Sequence, residues 1–518
     1  MAQWDEGYVT DVAYTTNFYR EITPSWLATA SLLLGQRPPD LTRPFAYADL
    51  GCGNGFTALA IAAAFPHATV WGFDFNPTHI EFANEFAARA GLGNARFVET
   101  PFATLEAMPD NALPDFDFMV SHGVLSWISP ANRGHLVGTV ARRLKPGGLA
   151  YLSYNVTTGW ASMLPLRALM RMVSAGSPER TDVAVPAVLD YVDRLKQAGA
   201  AYFQAHPTLE NRLADIRRQD PRYIAHEYLN QDWHPLMFVD IAVEMLEARC
   251  RYMGSATLAE NIDTVAVPAN VAPLLGETRD QVLRETLRDI GCAQTFRRDV
   301  YRKGLAPLHA VEQQVLLDEL TLVYTGLAVP EAGVTFAAPV GNVTGRPEIY
   351  QPLLARLETG PLSVREAREL PPFAARPLAE LMQAFTLLIS GGYAHPLLPG
   401  RGTPAGHEAA RRLNLAIVAA NAVGADMPRL AAPAIGSAIG IDLLETLLVG
   451  ELLGGRSHDV DALASDMVGT LARTGRSVQR EGKPVTDPAE TLRIVTEATR
   501  RTLETRLTTL QGLGVLPA

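Results

Sequence analysis

Over the first 160 residues, short unbroken apolar runs alternate with longer stretches of helical spacing. The runs FAYAD (45–49), TVWGF (69–73), ARFV (95–98), DFDFMV (115–120) and LAYLSY (149–154) are too short for helices and read as buried strands. Between them, the Ala-rich stretch 56–65 and the segments 77–90 and 132–144 have helical spacing, with Gly91 stopping one and KPGG (145–148) forming a turn after another. Strand–helix alternation of this kind predicts an open parallel sheet with right-handed crossovers. Residues 161–249 carry only helical periodicity, which places the sixth strand at 251–255 and the seventh at 294–301. After Gly304 the alternation ends.

The predicted order is therefore an N-terminal lid segment (1–40), a nucleoside-binding core (41–160), a helical insertion (161–249) and the completion of the sheet (250–304). A winged-helix-like module (305–400) and a helical C-terminal domain (401–518) come after it. The module reading rests on 361–397, which runs helix, helix, longer helix and a Gly-Gly-Tyr strand pair, while helices are expected at 407–423, 441–453, 459–473 and 488–510. A fragment ending at Gly304 is expected to tolerate its truncation better than one ending at Trp160, which would expose an apolar sheet edge.

Composition narrows the class. A chain of 518 residues exceeds what one core supports, and 47% hydrophobic with 19% charged residues describes a globular protein. The net charge is −10, and no Lys or Arg occurs from 378 to 399, where a DNA-reading helix would need cations; no nucleic-acid partner is expected. Three cysteines at 52, 250 and 292 are too few for a disulfide framework, which suits a reducing cytoplasm. No apolar run reaches the length of a membrane span, and MAQWDEGYVT lacks the basic start of a secretion signal. His226-Glu227 begins the H-E-x-x-H zinc pattern, but position 230 is Asn, so no metal is expected.

The chemistry concentrates at the first strand's end. Asp49 is followed by Gly51, Gly53 and Gly55, and the next strand ends in Asp74. Glycines let a backbone approach a ligand closely, and an acid ending the second strand can accept hydrogen bonds from ribose hydroxyls. A dinucleotide fingerprint would need glycine at position 56, which is Phe. Asp49 would repel a pyrophosphate and attract the sulfonium or ammonium of S-adenosylmethionine. The unit resembles the class I S-adenosylmethionine-dependent methyltransferases, with Asp49, Gly51, Gly53, Gly55, Asp74, Phe75, Phe102 and His122 as the expected cofactor-binding set. Many relatives place an acid after the third strand for the adenine amino group; Pro101 stands there, leaving main-chain groups and Phe102. The (N/D)PP(Y/F) tetrad of nucleobase amino methyltransferases is absent after the fourth strand, where the chain reads SHGVLSW.

Four stretches sharpen the resemblance: HGVLSWISPANR (122–133), YLSYNVTTGW (151–160), AHEYLNQDWHPL (225–236) and FRRDVYRKG (296–304). They are similar to bacterial methyltransferases that carry a methyltransferase regulatory domain, whose best-understood members are the rickettsial-type lysine methyltransferases of outer membrane proteins. That resemblance implies an α/β class I methyltransferase with a seven-stranded sheet, a helical insertion that caps the substrate edge or pairs with a second copy as a homodimer, and a mainly helical C-terminal half. It implies methyl transfer from S-adenosylmethionine to a protein lysine, with a small-molecule O- or N-methyltransferase and a catalytically silent cofactor-binding protein as alternatives. A lysine must lose a proton from a pKa of about 10.4, and burial favours that loss. Tyr14, as lid, with Trp127, Tyr154 and Trp160 are the expected desolvating residues, His122 is the candidate general base, and Glu227, Tyr228, Asp232 and Trp233 are candidate lysine contacts.

Overall fold

A computed structural model describes residues 16–331, 333–425, 427–480 and 483–517. Its central sheet has seven strands: β1 (Ala46–Leu50), β2 (Thr69–Asp74), β3 (Ala95–Glu99), β4 (Phe116–Ser121), β5 (Leu144–Asn155), β6 (Cys250–Ser255) and β7 (Phe296–Lys303). They lie in the order β3-β2-β1-β4-β5-β7-β6. The first five pair in parallel, and β7 runs antiparallel to both β5 and β6. This is the class I methyltransferase sheet. Every residue of β1 is buried, as expected of a strand covered on both faces. The expected KPGG turn is drawn into the sheet instead: Leu144 already pairs with Phe116 and Leu149 with Phe118, so Lys145 to Gly148 form an irregular bulge.

Helix Phe56–Ala64 explains how the two halves of the chain are joined. All nine of its residues are buried, and a helix that is apolar on every side must be covered on every side. The sheet covers one side and helix Pro404–Ala422 packs on another. Polar ties reinforce the junction: Arg20 donates to the carbonyls of Ile389 and Ser390, Ser25 Oγ to Gly436 O, and Arg412 Nε to Ala90 O. One hydrophobic cluster runs without a break from Ile22 to Leu516. Residues beyond Gly304 thus complete the core of the sheet domain.

The insertion builds its own small core. Helices Leu164–Ala175, Thr181–Gln197, Leu209–Ile216 and Pro221–Tyr228 enclose Met170, Val188, Leu213 and Ile224. Past β7, strand Thr321–Tyr324 lies between Leu362–Ser363 and Ala394–Pro396, with helices Pro347–Glu358, Val364–Ala367 and Leu378–Ser390 alongside. Helices Leu443–Leu453, Val460–Thr474 and Pro488–Thr505 complete the chain's C-terminal half. Among the described residues no helix is long and apolar enough to cross a membrane.

Candidate active site

The loop after β1 is clipped to β2, where Gly51 N and Cys52 N both donate to Phe73 O. Two glycines in it do different work. Gly55 caps helix Phe56–Ala64 with φ +71°, and a Cβ there would collide with the Phe97 ring. Gly53 has φ +54° and nothing within 4 Å of where its Cβ would stand, so the loop presents an open floor. Asp74 frames that floor: Oδ2 accepts Gly53 N at 2.8 Å, and Oδ1 accepts Asn76 N at 2.9 Å with His79 Nδ1 at 3.3 Å. A carboxylate has about four acceptor sites, so Asp74 retains capacity for a ribose diol. Asp49 is 4% exposed, and burial, then the neighbouring Asp74, pushes its carboxyl up to about 7. A buried, poorly compensated acid beside an open backbone floor fits S-adenosylmethionine, whose methionyl end is cationic. Phe75 and Phe102 are half-buried, the latter opening helix Phe102–Ala107 and packing against the core on that side of the sheet.

The loop after β4 is braced. Ser121 Oγ donates to Leu50 O, and Gly123 N donates to Ser153 Oγ. His122 lies between two rings, stacked on Tyr19 with centroids 3.7 Å apart and joined through Nδ1 to the Tyr151 hydroxyl at 2.8 Å. Burial, with the charge of Arg298 second, pushes the imidazole down to about 3. A lowering of this size disfavours proton uptake by His122, while its Tyr19 stack and Tyr151 hydrogen bond brace the loop. Phe296 meets it edge-on at 6.0 Å.

The aromatic residues expected to contact the acceptor follow β5 and line the insertion that comes after it. Trp160 donates Nε1 to Thr295 O, lies 5.2 Å from Trp233 and 5.9 Å from Tyr228, and carries the Arg212 guanidinium over its ring at 4.1 Å. Asp232 turns aside to His234. Trp127 is buried in the turn Leu125–Trp127. Its neighbour Ser126 holds Asn155 N through Oγ and accepts His234 N at its carbonyl, which ties this turn to β5 and the insertion. Tyr154 corrects the expectation made for it. Three residues from Tyr151 on the same strand, it faces the other way, and its hydroxyl donates to Asp299 Oδ2 at 2.6 Å. There it joins a buried cluster in which Arg297, 4% exposed, binds Asp289, Asp299 and Glu285. Tyr14 lies outside the described residues. Sequence reasoning missed His79, one turn into the helix after β2, and the Asn54 Nδ2 to Thr16 Oγ1 bond of 2.7 Å that ties the N-terminal segment over the glycine loop.

Comparison with known proteins agrees with this geometry. A family model described as "Methyltransferase domain" matches residues 48–148, and one described as "Predicted methyltransferase regulatory domain" matches 220–303. The chain is 32% identical to uncharacterized protein sll1526 of Synechocystis sp. over 514 residues, 99% of each. Trans-aconitate 2-methyltransferase of Methylobacterium radiotolerans is 32% identical over 202 residues, 39% of this chain and 67% of that one. The solved structure of PKMT2 from Rickettsia typhi in complex with AdoHcy matches with TM-score 0.70 at 20% identity, covering 97% of this chain and 99% of its own.

Proposed function

Because this chain belongs to the S-adenosylmethionine-dependent methyltransferases that carry a methyltransferase regulatory domain, we propose that its methyl acceptor is a lysine side chain of a protein. The observation that carries the reading is the aromatic cluster of Trp160, Tyr228 and Trp233 after β5, whose rings already hold cations, with the Arg212 guanidinium over Trp160 and that of Arg167 over Trp233. Methyl transfer is an in-line displacement, so the protein's task is to align the two reactants and exclude water. Aromatic faces hold an alkylammonium and desolvate it, which lowers the cost of deprotonation. Two similarities support the choice. The match to PKMT2 extends through the insertion and the C-terminal half, whereas the match to trans-aconitate 2-methyltransferase covers 39% of this chain. A protein acceptor uses surface beyond a cofactor pocket, on the order of 800 Å² per partner, and the added segments offer it.

The test is methyl transfer from labelled S-adenosylmethionine into an extract of the source cells. Label recovered in protein and released as methyl-lysine on hydrolysis upholds the reading. Label confined to small molecules replaces it with the small-molecule alternative, and tight cofactor binding without transfer to any acceptor replaces it with the silent one.

A further inference from the structure

A cavity of about 240 Å³ lies in the C-terminal half, and none of its lining residues belongs to the candidate active site. The hairpin of Thr335–Ala338 and Gly341–Thr344 forms one wall, and helices Pro347–Glu358 and Leu378–Ser390 form two more. Val265, from helix Asp263–Ala266, closes the cavity with a residue of the segment between β6 and β7. The depth is apolar: Val265, Phe336, Ile349, Phe373 and Leu387 are all buried, and the Phe336 and Tyr350 rings lie 5.0 Å apart. Packed protein leaves few voids larger than a water molecule, so a space of this size over buried rings has room for a ligand. It is smaller than the roughly 300–1,000 Å³ of drug-sized sites, which limits the occupant to one ring or one branched chain.

The polar groups on the lining favour an anion. Arg346 immediately precedes helix Pro347–Glu358, and Tyr350 follows one turn later on the same face. Tyr350 is 7% exposed, yet its hydroxyl has no hydrogen-bond partner among the described residues, where a buried phenol ordinarily finds one. Arg346 makes a single ion pair among those residues, to Glu348 at 3.9 Å, with the two side chains 62% and 63% exposed. No side chain caps the helix, so its first turn adds the positive end of the dipole. Half-buried Gln383 offers a side-chain amide that is likewise unbonded among the described residues. Glu380 is the one acid among the described lining residues, and it is held by Arg376 at 2.7 Å.

We infer that this cavity binds an apolar group ending in a carboxylate: the ring or branched chain fills the space over Phe336 and Phe373, and the carboxylate meets Arg346 and the Tyr350 hydroxyl. Both a free aryl or branched-chain acid and the C-terminal residue of a polypeptide carry that chemistry. Through Val265, either ligand touches the segment that completes the sheet as well as the C-terminal half. The inference is independent of the lysine reading.

The test uses the full-length protein, with 3-phenylpropionate as the probe, in a calorimetric titration at about pH 7.5, where the acid is ionised. Wild type should bind it saturably, in the low millimolar range or tighter. The uncharged 3-phenylpropanol should bind roughly tenfold more weakly or worse. Arg346→Met, a change at an exposed side chain, should weaken the acid roughly tenfold or more and leave the alcohol within about twofold. Tyr350→Phe keeps the ring and should weaken the acid several-fold. Both variants should bind S-adenosylhomocysteine as wild type does. Absence of saturable binding in that range, equal affinity for acid and alcohol, or Arg346→Met binding the acid as wild type does would each overturn the inference. A competition arm separates the sources. Displacement of the probe by a tripeptide ending in phenylalanine, and not by its C-terminal amide, assigns the cavity to a chain terminus. Failure of both peptides to displace a bound probe assigns it to a free acid, and equal displacement by both would count against the carboxylate. The extract assay decides the lysine reading separately.

Discussion

Cutting the chain after Gly304 removes the cover of helix Phe56–Ala64 and of the residues around it. Phe65 and Trp26 are 2% and 1% exposed. The Phe65 ring lies 2.6 Å from where a Cβ on Gly436 would stand, and the Trp26 ring lies 5.9 Å from His395, so both lose neighbours when 305–518 is deleted. Returning a large apolar side chain to water costs about 1.5–3 kcal/mol. Two such residues, with Ile22 and the alanine face of the helix partly uncovered, sum to on the order of 5–10 kcal/mol, against a whole-domain stability of about 5–15 kcal/mol. The lost ties from Arg20, Ser25 and Arg412 add to the loss in the same direction. We therefore expect fragment 1–304 to be unfolded or aggregated at room temperature. The assay pairs thermal unfolding by circular dichroism with calorimetric titration of S-adenosylhomocysteine, on the fragment and the full chain. A soluble fragment that melts cooperatively within about 5 °C of the full chain and binds with the same affinity would refute the reasoning.

Asp74→Ala should weaken S-adenosylmethionine by one or two charge-assisted hydrogen bonds, about 1.5–3 kcal/mol each; unchanged affinity by calorimetry would remove Asp74 from the ribose role, and NAD should give no heat. Burial holds the Asp49 carboxyl near 7, and the cationic cofactor needs its charged form. Affinity should therefore be highest above pH 7 and fall as pH drops through it, by up to about tenfold per unit, and an equal slope in Asp49→Asn would sink the idea. Gly55→Ala should lower the melting temperature, because its Cβ meets the Phe97 ring. Gly53→Ala should spare the fold more and cofactor affinity less, since its Cβ enters the open floor; the opposite ranking would count against the placement of the cofactor.

The strands were legible because fully buried parallel strands read as short apolar runs, and each lies within a residue or two of its expected place apart from the bulged start of β5. The strand–glycine loop–helix–strand unit from Asp49 to Asp74 was legible because its turn needs glycines at positive φ, a local requirement that the sequence displays. Tyr154 was misread for lack of a face: alternation says that Tyr151 and Tyr154 oppose each other, but only the arrival of Arg297 on a strand far along the chain decides which side is the ion cluster. Stacking of Tyr19 on His122 likewise joins residues about a hundred positions apart, and no local pattern announces it. The junction with the C-terminal half did leave a sign. A helix reading FTALAIAAA has no polar face to give to solvent, and so required a second cover that the first 304 residues do not supply.

The place of β7 has a consequence for biosynthesis. It is the last strand of the sheet in sequence, yet it lies between β5 and β6. As the chain leaves the ribosome, the outer edge of β5 stays unpaired until Phe296–Lys303 emerges, roughly 150 residues later, which at about 5–20 residues per second is on the order of 10–30 s. Throughout that interval Leu149–Asn155 offers a row of free amides and carbonyls to any other nascent strand. The insertion emerges during the wait, and in the folded chain the bridge from Val156 to Leu236 sets its end beside β5, so it is the first segment able to reach that open edge.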